Sequence, residues 1–192
     1  MNIICMAVFA LALTSATGGW FMRRNRASLD SRSVVIQETA SSETPAHVES
    51  GFEFSVHAPY QSVVPLFGGL GERCWGGEEW TPQFVYPMPA NDKVGEVFTL
   101  THGHLRSTWI NTALDLKAGH ISYVYFIPDA LSVLVDINVR PRSKSDTAVK
   151  VSYHRTALRP ELNSHIAELS RKDREMGQHW ASAISACLMK SK

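Results

Sequence analysis

Between residues 81 and 153 apolar and polar residues alternate with a period of two in segment after segment, and from Pro160 the pattern changes to a helical period that runs almost to the C-terminus. Side chains along a strand point alternately to two faces, so such alternation specifies sheet with one face buried. The segments span residues 81–86, 95–102, 107–116, 121–127, 131–139 and 147–156. Links as short as Lys117-Ala118-Gly119 and Pro128-Asp129-Ala130 join them. Links of this length make antiparallel hairpins and leave no room for the crossover helix of a parallel sheet. Upstream, Phe52, Phe54 and Val56 alternate with Glu53, Ser55 and His57 to give one further strand, which Pro59 ends.

Residues 60–70 read as short helix, with Val63, Val64 and Phe67 at helical spacing, and the glycines between 68 and 77 break the chain into turns. This Gly-rich stretch lacks the Gly-Lys-Ser/Thr ending of a phosphate loop. Trp75 and Trp80 are expected to pack the short helices onto the sheet, with the mouth of a cavity as their other reading. Beyond Pro160, the residues Leu162, Ile166, Leu169, Met176, Trp180, Ile184 and Leu188 recur at steps of three, four and seven. They mark the apolar stripe of one helix of about 28 residues, with Gly177 as the place for a bend or a close contact with the sheet. The expected fold class is α+β: a curved seven-stranded antiparallel sheet wrapped around a long C-terminal helix, with two short helices after the first strand.

Composition sets the bounds on this reading. With 44% apolar and 19% charged residues in 192, the chain is ordinary for a globular protein and has room for one domain, at residues 51–192, plus a leader. The net charge of +1 is uneven: residues 1–32 hold four Arg against Asp30, and residues 33–50 hold three Glu and no Lys or Arg. No basic face for nucleic acid is indicated. Cys5, Cys74 and Cys187 are too few for a disulfide framework or a zinc motif and pack as small hydrophobes in a reducing compartment. In an oxidising one Cys74 and Cys187 are the pair expected to bridge, a bond that needs a Cα separation below about 7 Å.

Residues 3–16 are apolar except for Thr14 and Ser15, and Ala16-Thr17-Gly18 offers the small residues of a signal-peptidase site. Arg23, Arg24 and Arg26 follow the run instead of preceding it, which suits an uncleaved anchor and membrane association through residues 1–22. A wrongly placed start is the third reading, and it would leave the protein cytoplasmic. Export or membrane tethering is the expected localisation. Residues 23–50, rich in Ser, Thr, Arg and Glu, read as a flexible linker.

The order of elements, a strand, two short helices, six strands and a long helix, resembles the helix-grip fold of the START and polyketide-cyclase (SRPBCC) superfamily over about residues 51–190. The likeness lies in Ser55-Val56-His57-Ala58-Pro59 leading into Val64-Pro65-Leu66-Phe67, then Glu72-Arg73-Cys74-Trp75 and Trp80-Thr81-Pro82. It continues in Gly95-Glu96-Val97-Phe98, in Trp109, in the run from Thr147 to Tyr153 and in Thr156-Ala157-Leu158 at the helix entrance. The resemblance implies a cavity between sheet and helix that holds a lipid, polyketide, quinone or aromatic compound. It covers carriers, sensors and a minority of cyclases and dehydratases.

Within that frame the expected ligand-binding residues are Trp109, Tyr123, Tyr125, Val133, Val135, Val151, Tyr153 and Trp180. An aromatic body with a polar edge contacts an apolar guest and orients its polar end. Alternation puts Trp109, Asn111, Ala113 and Asp115 on one face. Asp115 and His154 are the candidates for an acid or base, should burial beside a ligand shift them into a useful range. His102-Gly103-His104 lacks a third ligand nearby and reads as a strand end, so no metal and no cofactor is expected. Binding of a small apolar ligand leads, a cyclase or dehydratase using the same cavity stands second, and a partner-binding module with a collapsed core is third.

Overall fold

The alternating segments pair into one sheet. The computed structural model describes residues 44–190, so the leader and most of the linker lie outside the described residues. Strands β1 (His47–Val56), β2 (Gln83–Tyr86), β3 (Val97–His102), β4 (Leu105–Asp115), β5 (His120–Ile127), β6 (Leu131–Pro141) and β7 (Thr147–Ala157) form an antiparallel sheet in the order β1-β7-β6-β5-β4-β3-β2. The hairpins dictate this order: each short link pairs consecutive strands from β2 to β7, and β1 returns to lie beside β7. β1 and β2 are edges, and the sheet is not closed. β1 begins at His47, four residues inside the expected linker, because residues 47–50 pair with residues 153–156 of β7.

The inner face carries the apolar set. Val133, Val135 and Ile137 of β6 and Val149 and Val151 of β7 are buried, while Leu134, Asp136, Lys150 and Ser152 between them face outward. Alternation is interrupted once on β4, where the pairing with β5 shifts between Asn111↔Tyr123 and Ala113↔Ser122. The extra residue, Thr112, reverses the faces beyond it. Leu114 therefore sits opposite the inward Ile121, and Asp115 opposite the outward His120. The expected face of Trp109, Asn111, Ala113 and Asp115 is divided by this bulge.

After β1 the chain makes a short helix, α1 (Tyr60–Val63), and two 3-10 turns, Val64–Phe67 and Gly71–Cys74, as the apolar spacing and the glycines require. Trp75 and Trp80 pack these turns on the sheet: the Trp75 Nε1–H donates to Leu66 O at 2.6 Å and the Trp80 Nε1–H to Gly69 O at 3.1 Å. The His102-Gly103-His104 sequence is the tight turn between β3 and β4, with Gly103 at φ +60°.

The single long helix expected after Pro160 is two helices, α2 (Asn163–Asp173) and α3 (Met176–Lys190), preceded by a 3-10 turn at Pro160–Leu162. The break is fixed from both sides. At the end of α2, Asp173 occupies a position of the buried stripe and is tied to Arg155 of β7. At the start of α3, Gly177 lies so close to β1 that a Cβ there would stand 3.0 Å from Glu53 O. The buried stripe then runs through Trp180, Ile184 and Cys187, with Leu188 only half-buried. Cys187 forms a disulfide with Cys74 across a Cα separation of 5.6 Å, fastening α3 to the second 3-10 turn. None of the helices among the described residues is long and apolar enough to cross a membrane.

Candidate functional site

All eight residues expected to bind a ligand lie on the inner side of the sheet or on the helix facing it, each at most 3% exposed. The sheet and helices bring them together. Trp109 of β4 stacks on Tyr125 of β5 with ring centroids 4.1 Å apart, and Tyr123 meets the Trp109 edge at 6.2 Å. Trp180 of α3 contacts Phe52 at 5.1 Å and Trp75 at 4.8 Å. Phe52 in turn contacts Tyr153 at 6.3 Å. Rings meet rings across the space that the sequence reading assigned to a hollow, so these residues form a packed aromatic interior. Two open grooves of about 660 and 400 Å³ run along β1 and β7, bordered largely by outward residues such as Glu53, Lys150 and Ser152.

The two residues put forward as acid or base are not in this interior. Asp115 is exposed on the outer side of the bulge, where its Oδ1 accepts the backbone N–H groups of Lys117 at 3.0 Å and Ala118 at 2.8 Å and shapes the turn. His154 is on the outward set of β7, its Nδ1 3.2 Å from Glu49 Oε1. Neither can reach a guest held between sheet and helices.

Other ionisable groups do occupy the interior. Glu96, just before β3, is fully buried; its Oε2 accepts the Lys93 backbone N–H at 3.2 Å and its Oε1 accepts the Tyr123 hydroxyl at 3.4 Å. The same hydroxyl lies 3.1 Å from Phe67 O. Burial pushes the Glu96 carboxyl up to about 7, the Asp92 charge adds to this, and the Lys93 N–H, Tyr123 hydroxyl and Gly69 N–H pull the other way. Glu72, from the second 3-10 turn, is lifted well above the usual carboxylate range, first by burial and then by Asp92 and Glu96. Burial, with the Glu72 and Glu96 charges behind it, likewise holds the Tyr123 phenol neutral. Asn111, on the inner face beside Tyr123, is 1% exposed, and neither its Nδ2 nor its Oδ1 meets hydrogen-bond geometry with a protein group. Its amide nonetheless acts on the Tyr123 phenol, favouring the ionised form. Among the described residues the indole N–H of Trp180 is also buried without an acceptor.

A second polar group joins sheet to helix. The Arg155 guanidinium grips both oxygens of Asp173, with Nη2 3.0 Å from Oδ1 and Nη1 bonded to Oδ2. Ser50 of β1 donates to the same Oδ2 at 2.5 Å, and the guanidinium lies over the Tyr153 ring at 4.2 Å. Asn111 was placed on the correct face by alternation, but Glu72, Glu96, Arg155 and Asp173 went unnoticed. Arg155 falls on the inward parity of β7, and Asp173 interrupts an apolar stripe, both being polar residues at positions the period reserves for core. Glu96 carried a signal too, since it shares the parity of the inward Phe98 and Leu100 in the segment 95–102, whereas Glu72 sits outside the periodic segments and carried none.

Seven antiparallel strands in this order, short helices after the first strand and terminal helices laid across the concave face leave one architecture. The chain has the helix-grip fold. The truncated norcoclaurine synthase of Thalictrum flavum superposes on the grip with a TM-score of 0.60 at 15% identity, covering 78% of this chain and 98% of that one. A Thermobifida fusca protein solved by NMR matches with a TM-score of 0.56 at 15% identity, over 72% of this chain and 94% of that one. Ara h 8.0201 matches with a TM-score of 0.53 at 13% identity, over 77% and 99%. No family model and no curated protein matches the sequence.

The interior carboxyls give the grip a pH signature. Below the ordinary carboxyl value of 4.5 Glu96 is protonated whether the chain is folded or not; between 4.5 and about 7 only the folded chain holds the proton. Stability therefore falls as pH rises through that window and stays at the lower level above it, by on the order of 2–3 kcal/mol for this group, with Glu72 acting in the same direction. Urea titrations at pH 5 and pH 8 should show Glu96→Gln losing most of its share of this drop. An unchanged difference between the two pH values would show that Glu96 is not the group responsible.

Proposed function

We propose that the protein binds a small aromatic or apolar molecule carrying one polar group, between the inner sheet face and the C-terminal helices. The observation that carries this reading is Asn111. A buried amide that meets hydrogen-bond geometry with none of the described residues costs about 1–3 kcal/mol, and it stands in the middle of an aromatic interior, where a guest's hydroxyl or carbonyl would recover that cost. The fold supports the reading: norcoclaurine synthase from Thalictrum flavum, which shares it at a TM-score of 0.55, has been solved in complex with dopamine and hydroxybenzaldehyde. Because rings now fill the space, a guest enters by replacing ring contacts, and its binding energy must offset those it displaces.

Export fits the same reading. A disulfide such as Cys74–Cys187 forms and persists in an oxidising compartment, which favours a secreted or tethered carrier over a cytoplasmic one.

Native mass spectrometry of protein from its own host, followed by a thermal-shift screen of phenols, quinones and fatty acids, tests the proposal. The expected result is a retained or stabilising aromatic compound whose affinity falls at least tenfold in Asn111→Leu. One arm addresses the second reading, a cyclase or dehydratase, which the Glu96 carboxyl poised near neutrality beside the Tyr123 phenol favours. On that reading the bound compound is converted by the wild type and only bound by Glu96→Gln. If no compound shifts the melting temperature of delipidated protein, ligand binding is wrong. A partner-binding module, using exposed Val85, Met88 and Val94, then takes its place.

A further inference from the structure

On the outer face of the sheet, away from the packed interior, His47 and Glu49 of β1 and His154 of β7 converge. They reach one another because 47 and 49 share the outward parity of β1, and Glu49 pairs directly across from His154. Glu49 Oε1 is 3.2 Å from His154 Nδ1 and 3.8 Å from His47 Nε2, and one ligating atom from each residue lies within 4.8 Å of the others. We propose that these three side chains bind a divalent transition-metal ion of the zinc class.

Geometry and chemistry both select that class. Two imidazoles and one carboxylate suit zinc, nickel or copper, whereas calcium and magnesium are held by oxygen ligands alone. Around zinc, bond lengths of about 2.0–2.2 Å put tetrahedral ligand atoms roughly 3.3 Å apart. The carboxylate is already at that distance from one imidazole. The remaining gaps close by up to about 1.5 Å through side-chain rotation, since all three residues hang from two paired strands and the backbone need not move.

His47 is also oriented for the task. Its Nδ1 is 2.9 Å from Thr156 Oγ1 on β7, which fixes the ring and leaves Nε2 aimed at Glu49. Support of the non-ligating imidazole nitrogen is what ligand histidines receive in metal sites. Three protein ligands leave a coordination position for water, as in open zinc sites. Glu49 and His154 border the groove of about 400 Å³ that Lys150 and Ser152 also line, so that position faces a space able to admit a small anionic or polar co-ligand. Bound metal would also clip the beginning of β1 to β7, close to where the chain enters the sheet.

The test is equilibrium dialysis of the untagged protein against zinc chloride, with cobalt chloride as a spectroscopic probe and calcium chloride as the control. The wild type is expected to retain one equivalent of zinc and to show visible cobalt bands of a four- or five-coordinate nitrogen–oxygen site. His154→Ala and Glu49→Gln should each weaken zinc binding by more than tenfold. Thr156→Val, which keeps every ligand and removes only the support of His47, should weaken it by about tenfold. All these residues are at least partly exposed, so far-ultraviolet circular dichroism is expected to be unchanged. Zinc retention equal in wild type and variants, or no retention by the wild type, would overturn the proposal.

Discussion

Replacing Asp173 by Ala is expected to destabilise the protein by about 3–5 kcal/mol, the usual cost of leaving a buried charge without its partner. Arg155 and Asp173 are 4% and 6% exposed at the side chain, so water cannot replace the lost carboxylate. The guanidinium would keep the Ser50 hydroxyl at 3.0 Å, the Tyr125 phenol and the Tyr153 ring, all of them neutral groups. Urea unfolding measured as a midpoint at constant slope reads the effect. The double variant Arg155→Met, Asp173→Leu removes both charges and keeps apolar volume, and it should recover much of the loss, because exchanging a buried pair for packed side chains is commonly close to neutral. A single variant costing under 1 kcal/mol would mean that solvent reaches the pair, and with it the inner end of α2. Since Asp173 also ends α2, the variant reports whether the ion pair sets the bend: if it does, helical content at 222 nm changes along with stability.

Removing the Cys74–Cys187 bond should cost almost as much. The bond joins residues 113 apart, and closing a loop of that size removes unfolded-state entropy worth up to about 4.7 kcal/mol, with about 2–5 kcal/mol the measured range for native disulfides. For a domain of this size that corresponds to a melting temperature lower by roughly 10 °C. The double variant Cys74→Ser, Cys187→Ser, compared with wild type with and without dithiothreitol, should show the loss in the variant and in reduced wild type alike. Equal stability of oxidised and reduced wild type would show that the covalent link contributes nothing beyond the contacts around it. Cys74 is exposed and Cys187 buried, so serine at 187 adds a polar group to the interior and the reduced wild type is the cleaner comparison.

Much of the architecture was legible because periodicity speaks directly of faces. Every strand announced itself, and the helix-grip reading followed from the order of elements. Where the reading failed, a single residue was enough. Thr112 adds one position to β4, and that moves Asp115 from an imagined chamber to an outer turn. Counting by twos cannot detect a bulge, since nothing in Asn111-Thr112-Ala113 differs from a regular strand. The terminal helix divided in two close to where Gly177 marks a bend or close contact: the apolar stripe keeps phase across Arg174 and Glu175, and the signs of the break are Asp173 on a stripe position and that glycine. The hollow was over-read. Aromatic residues on an inward face are what a cavity wall needs and equally what a filled core needs, and it is their near-complete burial that decides between them. Of the carboxyls that give the interior its chemistry, Glu96 was open to the same counting by twos as Phe98 and Leu100, whereas Glu72 reaches the interior from an irregular turn whose course depends on tertiary packing.

The sheet's last strand has its own consequence for how molecules of this protein behave in company. β2 contributes four residues at an unclosed rim, and the chain leaves it through Pro87 and Pro89. Proline offers no N–H, so a neighbouring polypeptide seeking to extend the sheet there would find a template that is short and soon runs out of donors. On this side the sheet stays open without inviting the edge-to-edge aggregation to which a longer bare strand would be prone.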